Sequence, residues 1–520
     1  MTLRRFTSGL VAAGAALALV ACSANTTSTA TSAAAVGTVA AAASGAVTGD
    51  LATRLADDVT THAKADDVSY DPASAVTVTL ADGATKASAA GVTVSGNTVT
   101  ITTAGTYVLK GSLSNGQVVV NSAVEGKVRL VLDGASITNS AGSAVVISAA
   151  DEVVVVLADG TTNTLADGKG YAATGTDAPN AALFSMADLT IGGTGALVVH
   201  GQTGDGIASK DGLAILSGTI AVDAVDDGIR GKDYLDVHGG KITITAGQDG
   251  LKSTNETDDT VGWIAVHDGT VSINAGDDGI HAEGDLAISG GSVTVARSTE
   301  GIEAMTIAIS GGAVSVRSSD DGVNASNGTT SQTQGGGGGG GGGMGDDGSL
   351  LGITGGTVVV NADGDGLDSN GSQQITGGLV VVAGPTANNN GSLDSNAGIT
   401  VTGGTVLAAG SAGMAESPGT ASTQGWLAAT LPQAVAAGTT ISIVSGNTVI
   451  ASYTTTKTTA SIVFTSSAIR NGTSYDIYTG GSPGDGATAG FSSGGSISGA
   501  TKLTTVTAGV ATRGGPMGHP

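Results

Sequence analysis

An acidic residue followed by glycine and then an aliphatic residue recurs through the middle of this chain, and few folds accept its period. The triplets are Asp205-Gly206-Ile207, Asp227-Gly228-Ile229, Asp249-Gly250-Leu251, Asp278-Gly279-Ile280, Glu300-Gly301-Ile302, Asp321-Gly322-Val323 and Asp365-Gly366-Leu367. Their acidic positions are spaced by 22, 22, 29, 22, 21 and 44 residues, so the unit is 22 residues with one seven-residue insertion and one double interval. Within a unit, short apolar alternations are broken by glycine bends, as in Leu286-Ala287-Ile288-Ser289-Gly290-Gly291-Ser292-Val293-Thr294-Val295. Two-residue alternation marks strands, and a fixed period marks stacked units. Together they predict an all-β protein, a parallel β-helix of about 22 residues per coil with three short strands in each. A leucine-rich repeat would show leucine and asparagine at fixed places, and a nonapeptide calcium roll has a different period. Stacked in register, Ile229, Ile280 and Ile302 would line one interior ladder.

The flanks divide the chain further. Arg4 and Arg5 precede an apolar stretch that ends in Leu19-Val20-Ala21-Cys22, which reads as a lipoprotein signal peptide over residues 1–22 with Cys22 as the lipidated residue. Cys22 is the single cysteine of the chain, so no disulfide is available. The export signal and the lipid imply a protein anchored at the bacterial cell surface. Residues 23–65, rich in Ala, Ser and Thr, are expected as a linker. The β-helix is expected over residues 66–416, with further strand-like runs at 91–101, 126–134 and 151–157. The double interval holds nine consecutive glycines, Gly335 to Gly343, which predict an extruded loop over residues 331–348. No Gly-Lys-Ser/Thr follows, so a phosphate-binding loop is not indicated. Past Ser417 the repeat stops, and runs such as Thr439-Thr440-Ile441-Ser442-Ile443-Val444 predict a small C-terminal β cap over residues 417–505, then a flexible tail over 506–520.

Stacking would turn the acidic markers into a column. Asp205, Asp227, Asp249, Asp278, Glu300, Asp321 and Asp365 would lie roughly 4.8 Å from their neighbours, with Asp226, Asp277, Asp320 and Asp363 beside them. Like charges at that distance repel by roughly 1 kcal/mol in water and several-fold more near a protein surface. Such a ladder calls for a cation, and an all-oxygen donor set suits Ca2+ rather than zinc or copper. The alternative is that each aspartate caps its own turn before glycine. The six histidines show no triad or zinc spacing. The balance of 20 Lys+Arg against 44 Asp+Glu, a net charge of −24, excludes nucleic acid as a partner.

Several strings together resemble a known family. They are Gly105-Thr106-Tyr107-Val108-Leu109-Lys110-Gly111, Leu130-Val131-Leu132-Asp133-Gly134-Ala135-Ser136-Ile137, Asp226-Asp227-Gly228-Ile229-Arg230-Gly231-Lys232-Asp233 and Gly364-Asp365-Gly366-Leu367-Asp368-Ser369-Asn370-Gly371, followed by Gly384-Pro385-Thr386 and Gly391-Ser392-Leu393-Asp394. Over most of residues 66–480 the chain resembles bacterial cell-surface carbohydrate-binding β-helix proteins of the calcium-dependent type that hold cellulose and polygalacturonate. The resemblance implies a right-handed β-helix, calcium, and an acidic or β-linked glucan as partner, with Asp368 and Asn370 among the ligand-binding residues. Glu300 departs from the pattern, a longer acid standing where the other coils have aspartate.

Aromatic residues at 2% leave few platforms for neutral sugars, which favours an acidic polysaccharide bridged through calcium, with Arg230, Lys232 and Lys252 available to its uronates. The expectation is a monomeric binding protein rather than an enzyme. The competing readings are a β-helix polysaccharide lyase, for which Arg297 and Arg317 could supply a base, and a structural adhesin without glycan chemistry.

Overall fold

The structure is a computed structural model describing residues 40–511 apart from 57, 59, 60, 172–174, 259 and 328–344. The signal peptide with Cys22, the glycine run and the last nine residues lie outside the described residues. Those described are almost all β. One sheet of 36 strands is mostly parallel, and the only helix among the described residues is a single turn, Asp50–Arg54.

From Ala181–Ser185 onward, three ladders repeat along the sheet, and strands pair in parallel with their counterparts one repeat unit later, 21 to 29 residues on except for 44 across the double interval. One ladder runs Ile207, Ile229, Leu251, Ile280, Ile302, Val323, Leu367. The second runs Leu213, Leu235, Ile264, Leu286, Ile307, Leu351 and the third Ile220, Ile242, Val271, Val293, Val314, Val358. All of these side chains are buried in one continuous core. The predicted alignment of Ile229, Ile280 and Ile302 is present, with Leu251 between the first two. Glycine at the second triplet position is a packing requirement. A Cβ on Gly228 would stand 2.4 Å from Ile244 and 2.6 Å from the Gly250 carbonyl oxygen, and Gly250 and Gly279 are as tight.

The irregular intervals resolve simply. The seven extra residues fall between strands Leu251–Ser253 and Trp263–Val266. The double interval adds no coil, because Leu367 stacks directly on Val323.

Three expectations are corrected. Residues 91–101 form a hairpin, Val92–Ser95 antiparallel to Thr98–Ile101, because Gly96 takes φ +60° and turns the chain. Residues 40–65 do not behave as a linker: the Gly45 amide donates to the Ser310 carbonyl (2.7 Å), the Gly356 amide to the Ala43 carbonyl (2.9 Å), and Leu51 is buried against Ala308 and Leu350. The sheet admits this strap where it lacks Cβ atoms, since a Cβ on Gly352 would sit 2.4 Å from Leu51 and one on Gly355 2.2 Å from the Gly45 nitrogen. The tail is also shorter than expected. Strand Thr501–Thr507 joins an antiparallel five-stranded sheet, and the Gly509 amide donates to the Trp426 carbonyl (2.8 Å).

At the C-terminal end of the parallel ladders, Thr405–Gly410 receives Thr459–Thr465 in antiparallel pairing, which in turn pairs with Trp426–Val435. A second apolar cluster, including Leu427, Ile443, Tyr453 and Phe464, packs there.

Candidate functional site

The acidic triplet positions stack as a column because their strands stack. Each aspartate is also part of the ladder's hydrogen bonding. The Asp227 amide donates to Oδ1 of Asp205 (3.3 Å), that of Asp249 to Oδ1 of Asp227 (3.2 Å), that of Asp278 to Oδ1 of Asp249 (2.9 Å) and that of Asp365 to Oδ1 of Asp321 (2.6 Å). One carboxylate oxygen of Asp205, Asp227, Asp249 and Asp321 is therefore held by the next repeat unit, and the other is left for a different partner. Asp205, Asp227, Asp249 and Asp278 are buried, and Glu300, Asp321 and Asp365 are half-buried.

Three residues beyond each acid lies a second column, in the register Ala208, Arg230, Lys252, His281, Glu303, Asn324, Asp368. It divides the site in two. In the N-terminal half the second column is cationic: Arg230 reaches Oδ2 of Asp205 (2.6 Å), Lys252 Oδ2 of Asp249 (2.6 Å) and His281 Oδ2 of Asp278 (2.8 Å). His281 is pushed up to about 10. Burial opposes its charge, but hydrogen bonds to Asp278 and Glu283 and the charge of Glu303 outweigh it.

In the C-terminal half the second column is acidic or neutral. Burial raises Glu300 and Glu303 to about 7 and Asp321 to about 6, with neighbouring carboxylates adding to the shift. Asp365 rises to about 7 and Asp368 to about 8, burial again leading and Asp321 and Asp394 contributing. Glu416, raised to about 7 by burial and by Asp394, completes the group. Asn324 donates to Oε2 of Glu300 (3.1 Å), while its own Oδ1 is buried without a hydrogen-bond partner. Among the described residues, acids at one end of the column meet cations, the last such contact being His281 Nδ1 to Glu303 Oε2 at 3.7 Å, and Asp321, Asp365, Asp368 and Asp394 at the other end meet no cation within 4 Å.

The remaining expected site residues lie around this frame. Asp226 and Asp277 flank their column neighbours, and Asp226 comes within ligand distance of Asp205 and Asp227. Asp320 and Asp363 are exposed, and Asp363 is held by Lys457 (2.7 Å). Lys232 is half-exposed and lies 3.9 Å from Asp233. Asn370 donates to Ser326 (3.2 Å) and accepts from Asn396 (3.3 Å). The roles of His281, Glu303, Asn324, Asp394 and Glu416 were missed. For the first three, aligning the position three after each acid would have shown the column changing from basic to acidic. A cleft of about 900 Å³ opens beside His281 and Glu303, walled by the strap at Arg54 and by Asn255, Glu256 and Asp258 of the insertion.

Comparison with known proteins bears on what such a column serves. Residues 95–348 match the model of the carbohydrate-binding domain-containing protein family. The resemblance read from the sequence is met at that level. A carbohydrate-binding domain-containing protein of Acetivibrio thermocellus is 32% identical over 136 residues, 26% of this chain. The chain spans about half of that relative's length, 48%. Among solved structures, a polysaccharide lyase-like protein from C. thermocellum, a gadolinium derivative, is 31% identical over 46% of this chain and 92% of its own, with a TM-score of 0.39. The family match takes in the paired half of the column and reaches Asp321, whereas Asp365, Asp368, Asp394 and Glu416 lie beyond it.

Proposed function

We propose that this protein binds an acidic, polygalacturonate-like polysaccharide through Ca2+ held on the C-terminal half of the carboxylate column. The observation that carries this is the charge division. Asp205, Asp249 and Asp278 each have an internal cation, whereas among the described residues Asp321, Asp365, Asp368 and Asp394 have backbone amides and one another but no cation within 4 Å. The donor set of that half is all oxygen, with the orphaned Oδ1 of Asn324 beside it, and this fits a hard cation of flexible coordination. Calcium supplies charge neutralisation there and spare coordination for uronate oxygens. The family's name supports a carbohydrate partner. The three parallel ladders and the antiparallel strands beyond them support a right-handed parallel β-helix with a C-terminal cap. The remainder of the reading is an exported protein anchored through lipid on Cys22.

Binding without bond cleavage is favoured because Arg297 and Arg317, the bases of the lyase reading, lie on the third ladder outside both columns, and the cations beside the column are already engaged. Arg230, Lys252 and His281 are each held on a carboxylate, and a charged His281 cannot accept a uronate proton. The test is retention of the protein on immobilised polygalacturonate with calcium and with chelator. Calcium-dependent retention without unsaturated uronide release is expected, and Asp365→Asn with Asp368→Asn should weaken it at least tenfold. Removing a charge outside that half, with Lys232→Gln, should change it less than threefold. Growth of unsaturated product would instead establish a lyase, and chelator-insensitive retention would remove calcium from the reading.

A further inference from the structure

Away from the carboxylate column, two histidines converge on one buried aspartate. Asp236 lies in strand Tyr234–Val237 and is 2% exposed. Its Oδ2 is 2.7 Å from Nε2 of His238, and its Oδ1 is 2.9 Å from Nε2 of His267. The two imidazoles belong to successive coils and stack with centroids 4.9 Å apart. Backbone geometry sets this approach. Val237 pairs with Val266, so both histidines open the same bend. The bends nest because Gly240 and Gly269 both take φ +96°, and a Cβ on Gly269 would stand 2.7 Å from the Gly240 carbonyl oxygen. Across the ladder Asp236 faces Ala214 and Ala265, whose small side chains leave room for the carboxylate.

We infer that Asp236, His238 and His267 form a site for a divalent transition ion of the zinc or copper class, with a further coordination position open to solvent. The donor chemistry differs from that of the column. Two imidazole nitrogens and a carboxylate are a borderline-soft set that suits zinc or copper over calcium. Among the described groups whose ligand atoms lie within 4.8 Å of one another, this is the one with two imidazoles. Ligands about 2.0–2.1 Å from a tetrahedral ion lie roughly 3.3 Å from each other, so the observed 2.7 and 2.9 Å contacts need only open by about half an ångström. The imidazoles are nearly half exposed and can move that far, while the buried aspartate stays fixed. Ser289 Oγ lies 3.3 Å from Nδ1 of His267 and can hold the proton on that nitrogen, leaving the Nε2 lone pair for metal. The ion would clasp the coil of His238 to the coil of His267, which follows the seven-residue insertion. The inference does not depend on the calcium reading.

The test uses the full chain, stripped of metal and titrated with zinc in the presence of saturating calcium. One zinc equivalent is expected, with a rise in melting temperature. His238→Ala and His267→Ala should each weaken zinc at least tenfold, by roughly the margin that lost ligand-shell contacts produce. Each variant also takes one of two imidazole partners from the buried Asp236 and so lowers melting of the metal-free protein, while an unchanged circular dichroism spectrum checks the fold. Copper bound to the unmodified chain should show two coupled nitrogens by electron paramagnetic resonance, and one in His238→Ala. Failure of the unmodified chain to take up zinc would overturn the inference. So would full zinc affinity in the double alanine variant, or zinc lost only on His281→Gln, which would place the ion on Asp249, Asp278 and His281 instead.

Discussion

Asp205, Asp227 and Asp249 each do two things: one carboxylate oxygen accepts an amide of the next repeat unit, and the other faces a cation. The carboxylates thus tie successive repeat units together, accepting amides 22 or 29 residues away rather than capping their own turns. Arg230 sits against buried Asp205, so Arg230→Gln should destabilise the protein by about 3 kcal/mol, because it leaves a buried carboxylate without its partner. Asp205→Asn added to Arg230→Gln should recover much of that loss in a denaturant double-mutant cycle. The unpaired half responds to pH in the opposite sense from an ordinary salt-bridged acid. Glu300, Glu303, Asp365 and Glu416 titrate near 7 when folded and Asp368 near 8, above their unfolded values. The folded state therefore binds more protons in that window, and stability falls as pH rises from about 5 to 8. Urea midpoints of the calcium-free protein should show this decline, and saturating calcium should flatten it. A calcium-free midpoint that rises over the same range would contradict the charge division.

At the scale of elements, the repeat ladders follow from period and alternation, and they were legible because every interior position repeats an aliphatic side chain at a constant offset. The strap over residues 40–56 was not legible. Its Ala, Thr and Ser composition carries no periodicity, and the one buried side chain among its described residues, Leu51, occupies the space that a Cβ on Gly352 would fill. Gly352→Val should therefore expel the strap, since valine suits the strand but occupies the leucine's place. Limited proteolysis should then cut between residues 45 and 56 many times faster, while the global melting temperature changes by only a few degrees. Equal proteolysis in both proteins would mean that the strap is held elsewhere.

For the whole molecule, the proposed calcium binding by a chain of net charge −24 predicts that stability depends on cation concentration. Calcium at about a hundred times its dissociation constant should add roughly 2.7 kcal/mol per occupied site, provided the unfolded chain does not bind it. Calorimetry with calcium and with chelator measures this directly. Asp365→Asn with Asp368→Asn should remove most of the increment, whereas a loss confined to Asp227→Asn would move the ion to the paired half. An unchanged melting temperature would leave the column with a hydrogen-bonding role alone.

Period, alternation and the acid-Gly-aliphatic triplet by themselves determined the stacking unit, the interior ladders and the existence of a carboxylate column, because each is a property of one coil repeated at a constant spacing. Which carboxylates are neutralised was decided only by the tertiary structure. That outcome depends on which residue of the next coil stands beside each acid, and on how deeply the pair is buried. The same holds for His238 and His267. They are 29 residues apart and carry no metal spacing in the sequence, yet they lie ring to ring because the insertion between them leaves the ladder register unbroken.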